Sequence, residues 1–134
     1  MLGHLLVVLV SKIKKKKNDD NHLPFRYKTS PVSGNSINPV WNEGPFVFKK
    51  VVLPNLAHLR FCVYDENGKM LGHRVIPVRG LRPGYRHIHL RNEINQPAPL
   101  ATLFIYLEVR DYVPDDFSGM SSYFHCALAV VFVA

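Results

Sequence analysis

Few side chains in this sequence stand at spacings that could carry a reaction. His87 and His89 lie two apart, which on an extended strand puts both rings on one face, a workable spacing for two metal ligands. Zinc takes at least three protein ligands, and no further Cys/His cluster accompanies the pair, so these read as surface histidines. Asp65-Glu66 and Asp115-Asp116 are acidic pairs with no partner acid or base nearby in sequence, and they read as solvated carboxylates. Cys62 sits in an apolar run, the setting of a buried, reduced thiol. With Cys126 it makes only two cysteines, too few for a disulfide framework. No Asn-x-Ser/Thr acceptor occurs, and the composition favours a reducing, intracellular compartment. A phosphate-binding Gly-rich loop, a zincin motif, a Cys-x-x-Cys pair and a Gly-x-Ser-x-Gly elbow are all missing from the sequence.

Charge says little more. The chain has 134 residues, is 47% hydrophobic and carries a formal +7 from 17 basic and 10 acidic residues. That is enough apolar material for one folded domain and excludes a disordered chain. Five of the basic residues fall between Lys12 and Lys17. Lys49, Lys50, Arg79, Arg82, Arg86 and Arg91 are spread along the chain, and Tyr85 and Tyr106 could stack on bases. The basic residues are not interleaved with aromatics on one strand, so no nucleic-acid partner is expected.

The elements that must position these residues are strands. Phe25, Tyr27 and Thr29 alternate with Arg26, Lys28 and Ser30. Phe46 and Phe48 lead into Val51-Val52, and Pro54 ends that run. Leu59, Phe61 and Val63 alternate with Arg60, Cys62 and Tyr64. A further stretch runs from near Met70 to Val78. Between these two, Asn67-Gly68 predicts a two-residue hairpin turn with both central residues at positive φ. Tyr85 to Leu90 alternates with Ile88 and Leu90 on one face. Leu103, Ile105, Leu107 and Val109 form one face of the last strand, and Phe104, Tyr106 and Glu108 the other. The link from Val78 to Pro83 has room for one helical turn. No window gives a helical stripe and no crossover helices fit, so the class is all-β, an antiparallel sandwich or barrel.

The two ends look unlike this middle. Leu2 to Val10 is an apolar run of nine residues, short of the ~20 needed to span a bilayer. Its lysines, Lys12 and Lys14 to Lys17, follow the run instead of preceding it as in a signal peptide. Two readings stand: a leader outside the domain, or a segment lying at a membrane interface. Tyr123 to Ala134 is almost all apolar, either one buried strand or an exposed tail. The expected organisation is a leader over 1–24, a domain over 25–117 and a tail over 118–134.

One stretch is specific. Asn38-Pro39-Val40-Trp41-Asn42-Glu43 with Phe46 and Phe48 resembles the signature of C2 domains. The segments from Leu71 to Val78 (with Gly72) and from Gly84-Tyr85 to Glu93 are similar to phosphoinositide-specific phospholipase C. Asp111-Tyr112-Val113-Pro114-Asp115 narrows the resemblance to the beta class, over about residues 27–117. It implies a C2-like antiparallel β-sandwich, here incomplete and lacking the first strands. The implied core is Trp41, Phe46, Phe48, Leu59, Phe61, Val63, Ile76, Leu103, Ile105 and Leu107.

In the family, catalysis and its calcium belong to a barrel that has no counterpart in these residues, so this chain is expected to lack catalysis and cofactors. Of the positions at which C2 domains hold calcium, only Asp65 matches, and a calcium-independent domain is expected. The implied role is that of a fragment of the enzyme that hydrolyses phosphatidylinositol 4,5-bisphosphate. It would scaffold the barrel and dock at membrane or signalling partners, in the cytoplasm and peripherally at membrane. The helical segment that in the family binds a G-protein α subunit has no match here, and that partner is not carried over. The rival reading is a peripheral binder of anionic lipid using Lys12, Lys14, Lys15, Lys16 and Lys17 with Lys49 and Lys50.

Overall fold

The computed structural model describes residues 6–12, 26–35, 37–51, 54–112 and 125–132. Eight strands form: β1 (Leu6–Lys12), β2 (Arg26–Lys28), β3 (Phe46–Val51), β4 (His58–Tyr64), β5 (Met70–Pro77), β6 (Gly84–Arg91), β7 (Pro97–Tyr112) and β8 (His125–Phe132). Among the described residues the only helical piece is a 3-10 turn, Val78–Gly80, in the link that has room for one turn.

All neighbours are antiparallel, in the order β2-β1-β4-β5-β6-β7-β8-β3. The ladder nearly breaks between β5 and β6, which share the single register pair His73 with Arg91. There the sheet curls over, and each half has four strands. Leu59, Phe61 and Val63 of β4 enter the same buried cluster as Leu103, Ile105 and Leu107 of β7, so the halves stack face to face as a sandwich. Alternation dictates this: the odd positions of β4 turn inward, and Leu59 and Phe61 are wholly buried. Trp41 and Phe48 join them, while Phe46 and Ile76 pack against the cluster partly buried. Ile88, Leu90, Val51, Ala57, Val78 and Leu81 complete it.

The two outermost strands of the order also meet. Tyr27 of β2 donates its hydroxyl to the Val47 carbonyl of β3 at 2.7 Å. Its ring lies 5.3 Å from Phe46 and 5.0 Å, edge-on, from Phe48. One side chain thus ties the open side of the sandwich shut.

Two expectations change. The sandwich was expected to lack its first strands, with 1–24 and 118–134 outside it. Instead β1 lies inside the order, paired with β2 and with all of β4 from Leu6↔Tyr64 to Lys12↔His58. At the other end β8 pairs with β7 and β3. The physical reason is that a sheet edge presents unpaired N–H and C=O groups, which any extended apolar segment can satisfy whatever its sequence.

The hairpin turn also differs. Among the residues of the turn Gly68 alone has positive φ, at 76°. Gly68 N–H donates to the Asp65 carbonyl at 3.1 Å, and Asp65 N–H donates to the Lys69 carbonyl at 3.0 Å. This is a type I turn closed by a left-handed glycine, the three-residue loop. Asp65 decides it, because its Oδ1 accepts the Asn67 N–H at 2.6 Å and holds Asn67 right-handed.

Candidate functional site

The signature residues of the sequence gather around one loop, 29–46. Asn35 and Asn38 bond reciprocally: Asn35 Nδ2 donates to the Asn38 carbonyl at 2.6 Å, and Asn38 N–H to Asn35 Oδ1 at 2.9 Å. That brace presents Pro39 and drives Trp41 into the core at 3% exposure. Asn42 is exposed, while Glu43 Oε1 accepts the N–H of Ser30 and fastens the loop to the end of β2. These residues build the domain.

Gly72 and Gly84 flank the junction of the two halves. A Cβ on Gly72 would stand 3.0 Å from Leu90 Cβ, so only glycine lets β5 come this close to β6. Gly84 opens β6 at φ 100°.

Asp65 is engaged in closing its own turn. Its Oδ1 accepts Asn67 N–H and, at 3.4 Å, Lys69 N–H, and calcium wants six to eight oxygens. Among the described residues no three His, Cys, Asp or Glu side chains come together. Cys62 is buried on β4, and Cys126 lies in β8.

Three of the seven lysines of the lipid-binding reading lie in described strands. Lys12 ends β1 in one half of the sandwich, and Lys49 and Lys50 lie in β3 in the other. Lys14 to Lys17, and the acidic pair Asp115-Asp116, lie outside the described residues.

What the structure does assemble is an aromatic ladder on the outer face of β6 and β7. The register sets Tyr85 opposite Tyr106 and His87 opposite Phe104. Ring centroids are 5.0 Å apart for Tyr85–Tyr106, 5.7 Å for Tyr85–Phe104 and 4.6 Å for His87–Phe104. Tyr85 is 61% exposed, and Ile88, Leu103, Ile105 and Leu107 occupy the opposite, buried face. The outer face of an antiparallel sheet is normally polar, so four neighbouring rings there, Tyr85 and His87 stacked on Phe104 and Tyr106 tilted against Tyr85, form a surface suited to contact. Sequence reasoning placed Phe104 and Tyr106 on one face but did not join them to Tyr85 and His87, because only the strand register does so.

His73 has an unusual setting. Burial holds its pKa below the ordinary 6.5, and the Arg60 and Arg91 cations lower it further. No helix among the described residues is long and apolar enough to cross a membrane.

Comparison with known proteins agrees with the geometry. A family model for the C2 domain matches residues 8–93, a span that begins inside β1. The chain is 59% identical over 102 residues to the bovine (Bos taurus) 1-phosphatidylinositol 4,5-bisphosphate phosphodiesterase beta-1, covering 76% of this chain and 8% of that protein. It is 55% identical over 96 residues to the phosphodiesterase classes I and II of Drosophila melanogaster, covering 72% of this chain and 7% of that one. It therefore spans under a tenth of the length of these curated relatives. The crystal structure of PLC21 from L. pealei superposes with a TM-score of 0.66 at 35% identity, over 87% of this chain and 17% of that one. PLC21 from S. officinalis gives 0.61 at 34% identity, over 99% and 14%. The sandwich, its Trp41 loop and these matches lead to one conclusion: the chain belongs to the C2 domain family, and its C2 domain is of the kind carried by beta-type phosphoinositide phospholipases C.

Proposed function

We propose that the domain is a non-catalytic, calcium-independent docking module that packs against the catalytic barrel of a beta-type phosphoinositide phospholipase C and scaffolds it in the cytoplasm, at the membrane surface. The observation that carries this reading is the aromatic ladder of Tyr85, His87, Phe104 and Tyr106 on the solvent side of β6 and β7. Aromatic rings held on a rigid sheet bury large area with little loss of conformational entropy. Asp65 supports calcium independence, since its carboxylate is engaged in closing its own turn.

The test is capture of the full chain on an immobilised barrel from a beta-type relative. Capture is expected with calcium or with a chelator alike, and the double variant Tyr85→Ser with Phe104→Ser is expected to lose it at least tenfold while keeping its Tm. Capture untouched by the double variant would overturn the docking face. Capture only with calcium, lost in Asp65→Asn, would overturn calcium independence.

A further inference from the structure

Where β5 meets β6 the surface opens into a cleft of ≈ 460 Å³ lined by His73, Arg74, Val75, Arg91 and Asn95. Arg60 of β4 flanks it, standing directly across the ladder from Val75. The Arg60 and Arg91 cations thus gather about the His73 imidazole, while Arg74, paired with inward-facing Phe61, lies on the other face of β5. No acid answers them: among the described residues the only ion pair is Arg110 with Glu108, elsewhere on β7. Glu93, on the neighbouring turn, is exposed and pairs with none of them.

The cleft is also built. Arg91 Nη1 donates to the Asn95 carbonyl at 2.9 Å. Asn95 is held at φ 62° by a turn in which Asn95 N–H donates to the Asn92 carbonyl at 2.9 Å and Gln96 N–H to Asn92 Oδ1 at 2.8 Å. One donor of Arg91 fixes the guanidinium, and the others remain for a ligand. Two polar atoms at the cleft, Arg60 Nε and His73 Nδ1, are buried with no hydrogen-bond partner. A buried guanidinium donor without a partner, as Arg60 Nε is, is costly, and cations gathered with no counter-ion repel one another, so the arrangement is stabilised by whatever anion completes it.

We infer that the cleft between β5 and β6 is a binding site for a phosphoryl oxyanion, with Arg91 as its main ligand and His73 and Arg60 supporting it. Guanidinium suits this ligand because its planar fork pairs two N–H donors with two phosphate oxygens. The phosphoryl group could belong to a soluble phosphate ester or to a lipid headgroup. The inference uses none of the residues of the docking ladder, so either proposal can fail without the other.

Inorganic phosphate titrated into the full chain, with the His73 ring followed by NMR, tests it. Saturable shifts and an upward move of the His73 titration are expected, and Arg60→Gln and Arg91→Gln are each expected to weaken binding at least tenfold. Shifts that never saturate, or that survive both substitutions, would overturn the site. Should the variants not fold, protection of Arg91 from phenylglyoxal decides the matter in the native chain. Slower modification in phosphate supports the site, and equal rates overturn it. Phosphatidylcholine vesicles with and without phosphatidic acid then separate the sources. Sedimentation that needs the phosphatidic acid and fails in Arg91→Gln assigns a lipid phosphate, whereas phosphate saturation without sedimentation assigns a soluble one.

Discussion

His73 belongs to the scale of the single residue. Its neutral form is favoured in the folded chain, since burial and the Arg60 and Arg91 charges hold its pKa below 6.5. Above 6.5 the ring is neutral folded or unfolded, and stability is unaffected. As the pH falls below 6.5 the unfolded chain takes the proton first, so stability falls until the folded pKa is passed. In phosphate-free buffer, Tm is expected to drop more steeply on mild acidification than in His73→Gln. Parallel Tm curves for the two proteins would show that the ring is not coupled to folding. Other single residues were readable before the fold was known. Trp41 stands in a signature, and a lone tryptophan beside Asn-Pro in a small β domain has few places to go except the core.

At the scale of the element, the hairpin joining β4 and β5 shows how one side chain overrules a pattern. Asn-Gly alone favours two left-handed residues, but Asp65 at the first turn position captures the Asn67 N–H, and a type I turn follows. The geometry makes an expectation: Asp65→Ala removes both side-chain hydrogen bonds to the turn and is expected to cost about 1 kcal/mol. Urea unfolding of the two chains measures it, and an unchanged midpoint would show that the turn closes without the carboxylate. Strand existence was legible throughout the middle of the chain, because burial on one face writes a period of two into β4, β6 and β7. The aromatic ladder was half legible. Its rings are visible in sequence, but Tyr85 and Tyr106 meet only through the pairing of β6 with β7.

The whole molecule depends on its two ends. β1 and β8 are interior strands, and β8 links β7 to β3. Removing residues 125–134 would leave β3 and the far side of β7 without backbone partners. The shortened chain is expected to lose amide protection along β3 and on the β8-facing groups of β7, and to associate through the exposed edges. Hydrogen exchange with light scattering checks this. Unchanged protection in a monomeric shortened chain would mean that β8 adds nothing to the sandwich. The Tyr27 clamp between β2 and β3 acts at the same scale, holding together two strands that stand furthest apart in the order.

Sequence by itself determined that the chain is all-β, which residues face inward along β4, β6 and β7, and the C2 signature around Trp41. Side-chain burial is a local periodicity, so it can be read locally. Tertiary structure alone decided which segments complete the sandwich. Backbone pairing at an edge is indifferent to side-chain identity, and Leu6–Lys12 and His125–Phe132 carry no mark of their partners. It also decided the cleft. Arg60, His73 and Arg91 come from three different strands, and only the curl at the His73–Arg91 pair draws their charges into one place.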